Sequence, residues 1–364
     1  MTDKKASLFS DVPVSKAVLI LAVPTVISQL ITVVYNMADT FFIGQLNDPL
    51  QVAAATLAMP CFMFLTAFAN LFGLGGSSLI SRCLGMDDRE KAAHTAAFCI
   101  WTGIAAAFLY GIGILLFEPV LFPLLGAKEE TWGYLRQYVF WTIGVGAIPT
   151  VMNAEFAHLI RSEGYSKTAG FGVALGGILN IALDPVFIFG LQMEIAGAAI
   201  ATMLSNLIAM LYFIGFLLHI RDNTVITLNP KAYSLGQKIP QEVVTVGLPG
   251  FVMTMMSTIS NTALNHIVAG YSNTAVAGMG IAKKIDLLAY AISQGMTQGT
   301  LPLIGYNFSS GNVKRMKQSI KTAFLYSLIV AVCGTIVLYF SAAPIARGFI
   351  SDAETVHYGL SGNR

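Results

Sequence analysis

Long runs of apolar residues, separated by short polar connections, recur along the whole chain. Each run reaches the roughly 20 residues that a helix needs to cross a bilayer core. The pattern predicts nine spanning helices, at about 16–45, 52–82, 93–119, 134–160, 168–190, 195–219, 241–270, 276–307 and 319–342. A membrane β-barrel would instead show alternating segments of about ten residues. The expected fold class is therefore an all-α polytopic membrane protein. The longest break, "HIRDNTVITLNPKAYSLGQKIP", contains Pro230, Gly236 and Pro240 and reads as a linker. It divides the chain into a lobe of six helices (1–220), a cytoplasmic linker (221–240) and a second lobe of three helices (241–364).

Composition agrees with this pattern. Of the 364 residues 55% are hydrophobic and 11% charged, whereas soluble domains run at about a quarter charged. A net charge of +2 gives no reason to expect nucleic acid as a partner. Cys61, Cys83, Cys99 and Cys333 are scattered, in a spacing that suits neither a metal site nor a disulfide framework. The N-terminal "MTDKKASLFSDVPVSK" is polar and has no cleavage pattern after it, so no removable signal is expected.

The distribution of charge sets an orientation. Lys4, Lys5 and Lys16 precede the first span, and every second connection is basic: Arg82, Arg89 and Lys91; Arg161 and Lys167; Arg221, Lys231 and Lys238; Lys314, Arg315, Lys317 and Lys321. The alternate connections carry little beyond Lys128 and Arg347. By the positive-inside rule the N-terminus and the linker are cytoplasmic, in keeping with six crossings between them. A multi-pass protein of the plasma (bacterial inner) membrane is expected.

The halves also resemble each other. "LAVPTVISQLITVVYNMADTFFIGQL" overlies "VGLPGFVMTMMSTISNTALNHIVAG", so that Pro24 meets Pro249 and Asn36 meets Asn261. Further on, Leu57–Ala58 meets Ile281–Ala282, Pro119 meets Pro344 and Glu129 meets Glu354. Both halves start on the same side, so the repeat is parallel, which is a transporter architecture with its site at or between the lobes. The second half reaches only the start of a fourth helix, three short of what the repeat implies.

Within this frame a few polar residues stand out. "GGILNIALDPVFIFG" places Asn180 and Asp184 in an otherwise apolar span. Counting back from its outer end puts Asp184 about 9 Å deep at 1.5 Å per residue. Asp39, in "YNMADTFFIG", and Thr202 fall at a similar depth on the first and sixth helices. A carboxylate at such depth costs about 2.5–3.5 kcal/mol on insertion scales, so functional placement is the working expectation. Two acids sharing a dry site resist being ionised together and so attract a proton, a sodium ion or an organic cation. Asp39, Asn180, Asp184 and Thr202 are expected to converge inside the first lobe, near the outer face. Weaker candidates for contact with substrate are Tyr35, Asn36, Asn153, Glu155, Met253 and Met256. Glu155 approaches the cytoplasmic end and could be wetted there. Lys283 and Asp286 are spaced as a structural i,i+3 pair.

Enzyme chemistry finds no support in the sequence. H-E-x-x-H, G-x-S-x-G and Gly-rich phosphate loops are absent, and His94, His158, His219, His266 and His357 fit no ligand spacing. No cofactor is expected, and no metal beyond a possible sodium at Asp39, Asn180 and Asp184.

"VPTVISQLITVVYNMADTFFIGQL", "NIALDPVFI" followed by "GAAIATMLSN", and "QGTLPLIGYNFSSGNVKRMK" together resemble the multidrug and toxic compound extrusion (MATE) family. "LISRCLGMDDREKA" and "LIRSEG" are similar to its cytoplasmic loops. The resemblance implies a two-lobed, twelve-helix exporter of cationic and amphipathic compounds, driven by inward movement of protons or sodium. It also implies that Asp39, Asn180, Asp184 and Thr202 form the cation site of the first lobe. An intramembrane Glu found in the seventh helix of one branch has no counterpart here. The alternatives are a lipid-linked oligosaccharide flippase of the same superfamily, which would favour a cavity lined with Lys and Arg, and an inactive fragment. Small organic cations and membrane lipid are the expected partners of what should be a monomer.

Overall fold

The computed structural model describes residues 3–269 and 273–349, with side chains for 7–261, 263, 264 and 286–334. Lys283 and the matched positions Ile281–Ala282, Pro344 and Glu354 therefore lie outside the described side chains. Every regular element among the described residues is helical: α1 (Asp3–Ser10), α2 (Val14–Gly44), α3 (Pro49–Gly85), α4 (Arg89–Leu116), α5 (Glu118–Leu124), α6 (Glu129–Val139), α7 (Ala147–Ser162), α8 (Ser166–Pro185), α9 (Glu194–His219), α10 (Ile239–Ala269), α11 (Asn273–Ser309) and α12 (Val313–Phe349). Among the described residues six are long and apolar enough to cross a membrane, or seven when α6 and α7 count as one span. α1 and α5 are short pieces that the hydropathy pattern does not reveal.

The fourth span expected from the sequence proves to be broken. α6 and α7 are joined by a π-helical stretch, Phe140–Val145, and meet at 49°. The Thr142 hydroxyl donates to the Tyr138 carbonyl at 2.7 Å. Gly144 lies within the break and Gly146 directly follows it, and at Gly146 a Cβ would stand 2.6 Å from the Thr142 carbonyl oxygen. Inserted turns of this kind are a recognised cause of kinks. A second π turn, Val186–Gly190, follows Pro185, which has no N–H to continue the regular ladder.

The start of α10 follows the repeat. α2 and α10 start 225 residues apart, with Pro24 and Pro249 at the same place in each.

Helices α2 to α9 pack together around α3 and α7, and α10 and α11 lie against α3 and α2. Small residues permit that approach. Gly75 abuts the Val243 carbonyl, Gly247 the Leu71 carbonyl, Gly295 the backbone of Val26 and Gly299 that of Ala22. These contacts lie towards the end of the bundle that carries the basic connections. Glu242 joins them there, 2.7 Å from Lys91 Nζ and 3.5 Å from Arg82 Nη2. Nearer mid-height, Gln29 Nε2 donates to Gln298 Oε1 at 2.8 Å and Asn70 Nδ2 to Thr254 Oγ1 at 3.0 Å. Towards the opposite end the α10 and α11 side chains Met253, Met256, Ile259, Leu287 and Tyr290 are exposed.

Candidate functional site

The register between α2 and α8 places the two acids. A Cβ at Gly170 would lie 2.7 Å from the Pro24 carbonyl oxygen, and one at Gly177 would lie 3.1 Å from Ile31 Cγ2. Both close approaches join positions 146 apart in sequence, so the helices run parallel and in step. Carried one more heptad, the same offset sets Asp184 level with residue 38, beside Asp39. The two carboxyls are near enough for the charge of Asp39 to act on Asp184.

Asn180 holds the centre of the cluster. Its Nδ2 donates to Asp184 Oδ1 and to Thr202 Oγ1, each at 3.2 Å. Asp184 is 0% exposed, Asn180 2% and Thr202 9%. Asp39 Oδ1, Asn180 Oδ1 and Asp184 Oδ2 are buried oxygens without a hydrogen-bond partner. Buried acceptors left in this state carry a desolvation cost of about 1–3 kcal/mol each. A proton on one carboxyl would supply a donor to such a nest, and a small cation would satisfy several of its oxygens together. Among the described residues no three His, Cys, Asp or Glu side chains gather as a metal site, so any cation here would rest on two carboxylates with amide and hydroxyl oxygens.

The expected residues separate into two groups. Tyr35 belongs with the cluster, since a Cβ at Gly177 would stand 2.9 Å from its Cδ1. Asn153 extends the network: its Nδ2 donates to Asn206 Oδ1 at 2.8 Å, and Asn206 Nδ2 donates to the Thr202 carbonyl at 2.9 Å. Asn36 is exposed on α2, and Met253 and Met256 are exposed on α10. Glu155 stands apart from both groups. It is neither wetted nor near the acids, but 0% exposed and turned towards Gly103 of α4, with both carboxylate oxygens unpartnered. Two residues along a helix is about 200°, so Glu155 and Asn153 point to opposite sides of α7.

One neighbour was not legible in the sequence. Tyr138, buried on α6, lies near Asp39, Asp184 and Tyr35. An aromatic residue in an apolar run carries no local mark of such a position, and only the packing of α6 against α9 and α3 brings it there.

The MatE family model matches residues 24–186 and 249–361. The multidrug export protein MepA of Staphylococcus haemolyticus is 32% identical over 358 residues, spanning 98% of this chain and 78% of that protein. Among solved structures, a multidrug resistance MATE family transporter of the MOP superfamily in its outward-facing conformation superposes with a TM-score of 0.90 at 27% identity, covering the whole chain and 80% of that one. A crystal structure of MATE in complex with MaD5 gives a TM-score of 0.91 at 27% identity, covering the whole chain and 81% of its counterpart.

Proposed function

The chain belongs to the MatE family of membrane transporters, which are not enzymes, and from that premise we propose that it exports cationic and amphipathic drugs by antiport with protons or sodium ions. The observation that carries this reading is the nest of three unpartnered buried oxygens on Asp39, Asn180 and Asp184. A transporter has a use for such a site. It takes up a cation when open to the outside and must lose it to the inside before the cycle repeats, and export is coupled when substrate binding depends on which form the site is in. The relatives named as multidrug export proteins support small organic molecules as the substrates.

In this reading residues 1–220 form one lobe, 221–240 the cytoplasmic linker and 241–364 the second lobe. The basic end faces the cytoplasm of a bacterial cell, with the N-terminus inside, and the protein acts as a monomer. The contacts between α2, α3, α10 and α11 concentrate at the basic end, so the conformation is closed to the cytoplasm and opens outward. Tyr35 and Asn153 border the cation site, while Asn36, Met253 and Met256 line the open half of the cleft as an adaptable apolar surface. Spans 17–81, 168–220 and 239–308 contain no Lys or Arg beyond Lys283 and Lys284, which speaks against a cavity built for lipid-linked sugar phosphates. The test is efflux of a cationic dye from cells expressing the wild type or Asp184→Asn, which keeps shape and removes the titratable charge. Efflux should be lost at unchanged expression; undiminished efflux would remove Asp184 from the mechanism.

A further inference from the structure

The short helix α1 precedes the first span and joins it through Asp11–Pro13, so it is covalently part of the first lobe. Among the helices, however, its main neighbour is α11. Phe9 is 0% exposed and stacks on Tyr306 of α11, with ring centroids 5.2 Å apart. Its other side meets the first lobe at Gly164, a turn residue with φ +84°, where a Cβ would stand 3.2 Å from the Phe9 ring. Phe9 is thus a wedge between the α7–α8 turn of one lobe and α11 of the other.

The end of α1 is capped from across the seam. A helix leaves its last carbonyls without partners of its own, and a cation there is favoured. Arg315 of α12 meets that need: Nε donates to the Phe9 carbonyl at 2.7 Å and Nη2 to that of Leu8 at 3.5 Å, while Nη2 also donates to the Val12 carbonyl in the link that follows. Asn307 of α11, 1% exposed, adds a bond to the Phe9 carbonyl at 3.1 Å. An eight-residue helix is far below the ~12–15 residues at which isolated helices become even marginal. Its order therefore depends on partners, and the caps of its last carbonyls come from the second lobe.

We propose that α1 is a strap coupled to lobe closure: it is folded and capped by Arg315 and Asn307 while the lobes meet at the basic end, and it is released when they part. This rests on the alternating-access reading given above. Each time the basic end opens, Arg315 must give up the carbonyls of α1, so the strap biases the resting protein towards the state closed at that end.

Spin labels at Met86 and Lys317, both exposed and on different lobes, report that opening as a distance distribution. Cys333, which is exposed, is first replaced by serine, whereas Cys61, Cys83 and Cys99 are buried. The wild type is expected to show short and long populations whose ratio responds to substrate and ion. Charge-assisted bonds of this kind imply that Arg315→Gln lowers the ratio of short to long about tenfold or more. Hydrogen exchange at Asp11 and Val12, whose amides bond to the Ser7 carbonyl at 2.8 and 3.0 Å, should quicken in step. Arg315→Lys should restore part of the effect. If Arg315→Gln does not assemble, Phe9→Ala is read in the same way. A wild type that switches while these variants keep its distances and protection overturns the strap alone. A wild type that never switches overturns alternating access, and the strap with it.

Discussion

Gly177 of α8 lies against the ring of Tyr35 of α2, so close that a Cβ would stand 2.9 Å from Tyr35 Cδ1. That approach, repeated a heptad earlier where Gly170 meets the Pro24 carbonyl, is what brings Asp184 to the level of Asp39. The two glycines differ in what they face. A ring can tilt aside, but a backbone carbonyl inside a helix cannot. Gly170→Ala should therefore lower stability by about 1–3 kcal/mol, and Gly177→Ala by less. Gly177→Ala should instead reduce efflux, because Tyr35 moves at the site. Melting curves in detergent alongside dye efflux would check both, and the reverse order would contradict this account of the register.

Asn180 and Thr202 make unequal contributions to the cluster. Asn180 supplies the donor that reaches both Asp184 Oδ1 and Thr202 Oγ1. Asn180→Ala leaves a buried carboxylate oxygen without a partner, a cost of about 1–3 kcal/mol, whereas Thr202→Ala removes one neutral bond, about 0.5–1.5 kcal/mol. Efflux and thermal stability should both fall further for Asn180→Ala than for Thr202→Ala. Equal losses would mean that Asn180 does not bridge the site.

Glu155 is a carboxyl with 0% exposure and no hydrogen-bond partner on either oxygen. An unpaired group of this kind destabilises its surroundings, and its presence in a bilayer span points to use in the cycle. Glu155→Gln should raise the melting temperature while lowering the transport rate, the trade expected of a strained functional position. A variant that is more stable and transports at the full rate would make Glu155 a purely structural residue.

Much of this architecture could be read from the sequence, for identifiable reasons. Spans follow from apolar length, and the common depth of Asp39, Asp184 and Thr202 follows from helix direction and rise. What could not be read depends on packing. The break at Phe140–Val145 arises from glycines and a hydroxyl that an apolar span accommodates without any change in hydropathy. Tyr138 has no polar neighbour in sequence to mark it. Glu155 lies towards the cytoplasmic end, where its place in the sequence leaves both wetting and a substrate contact open, but neighbours on α4, remote in sequence, cover it. α1 looked like a polar tail because the residues that order it, Tyr306, Asn307 and Arg315, come some 300 positions later.

The central claim is that the nest around Asp39 and Asp184 couples an ion gradient to export, and gradient-driven transport in proteoliposomes tests it most directly. Purified protein is loaded with a cationic dye on one side, and proton and sodium gradients are imposed separately. The wild type should drive the dye against its own gradient with one of the two ions. Asp39→Asn and Asp184→Asn should lose that uphill movement under both gradients, whatever downhill leakage they retain. Uphill transport by either variant at the wild-type rate would contradict the claim.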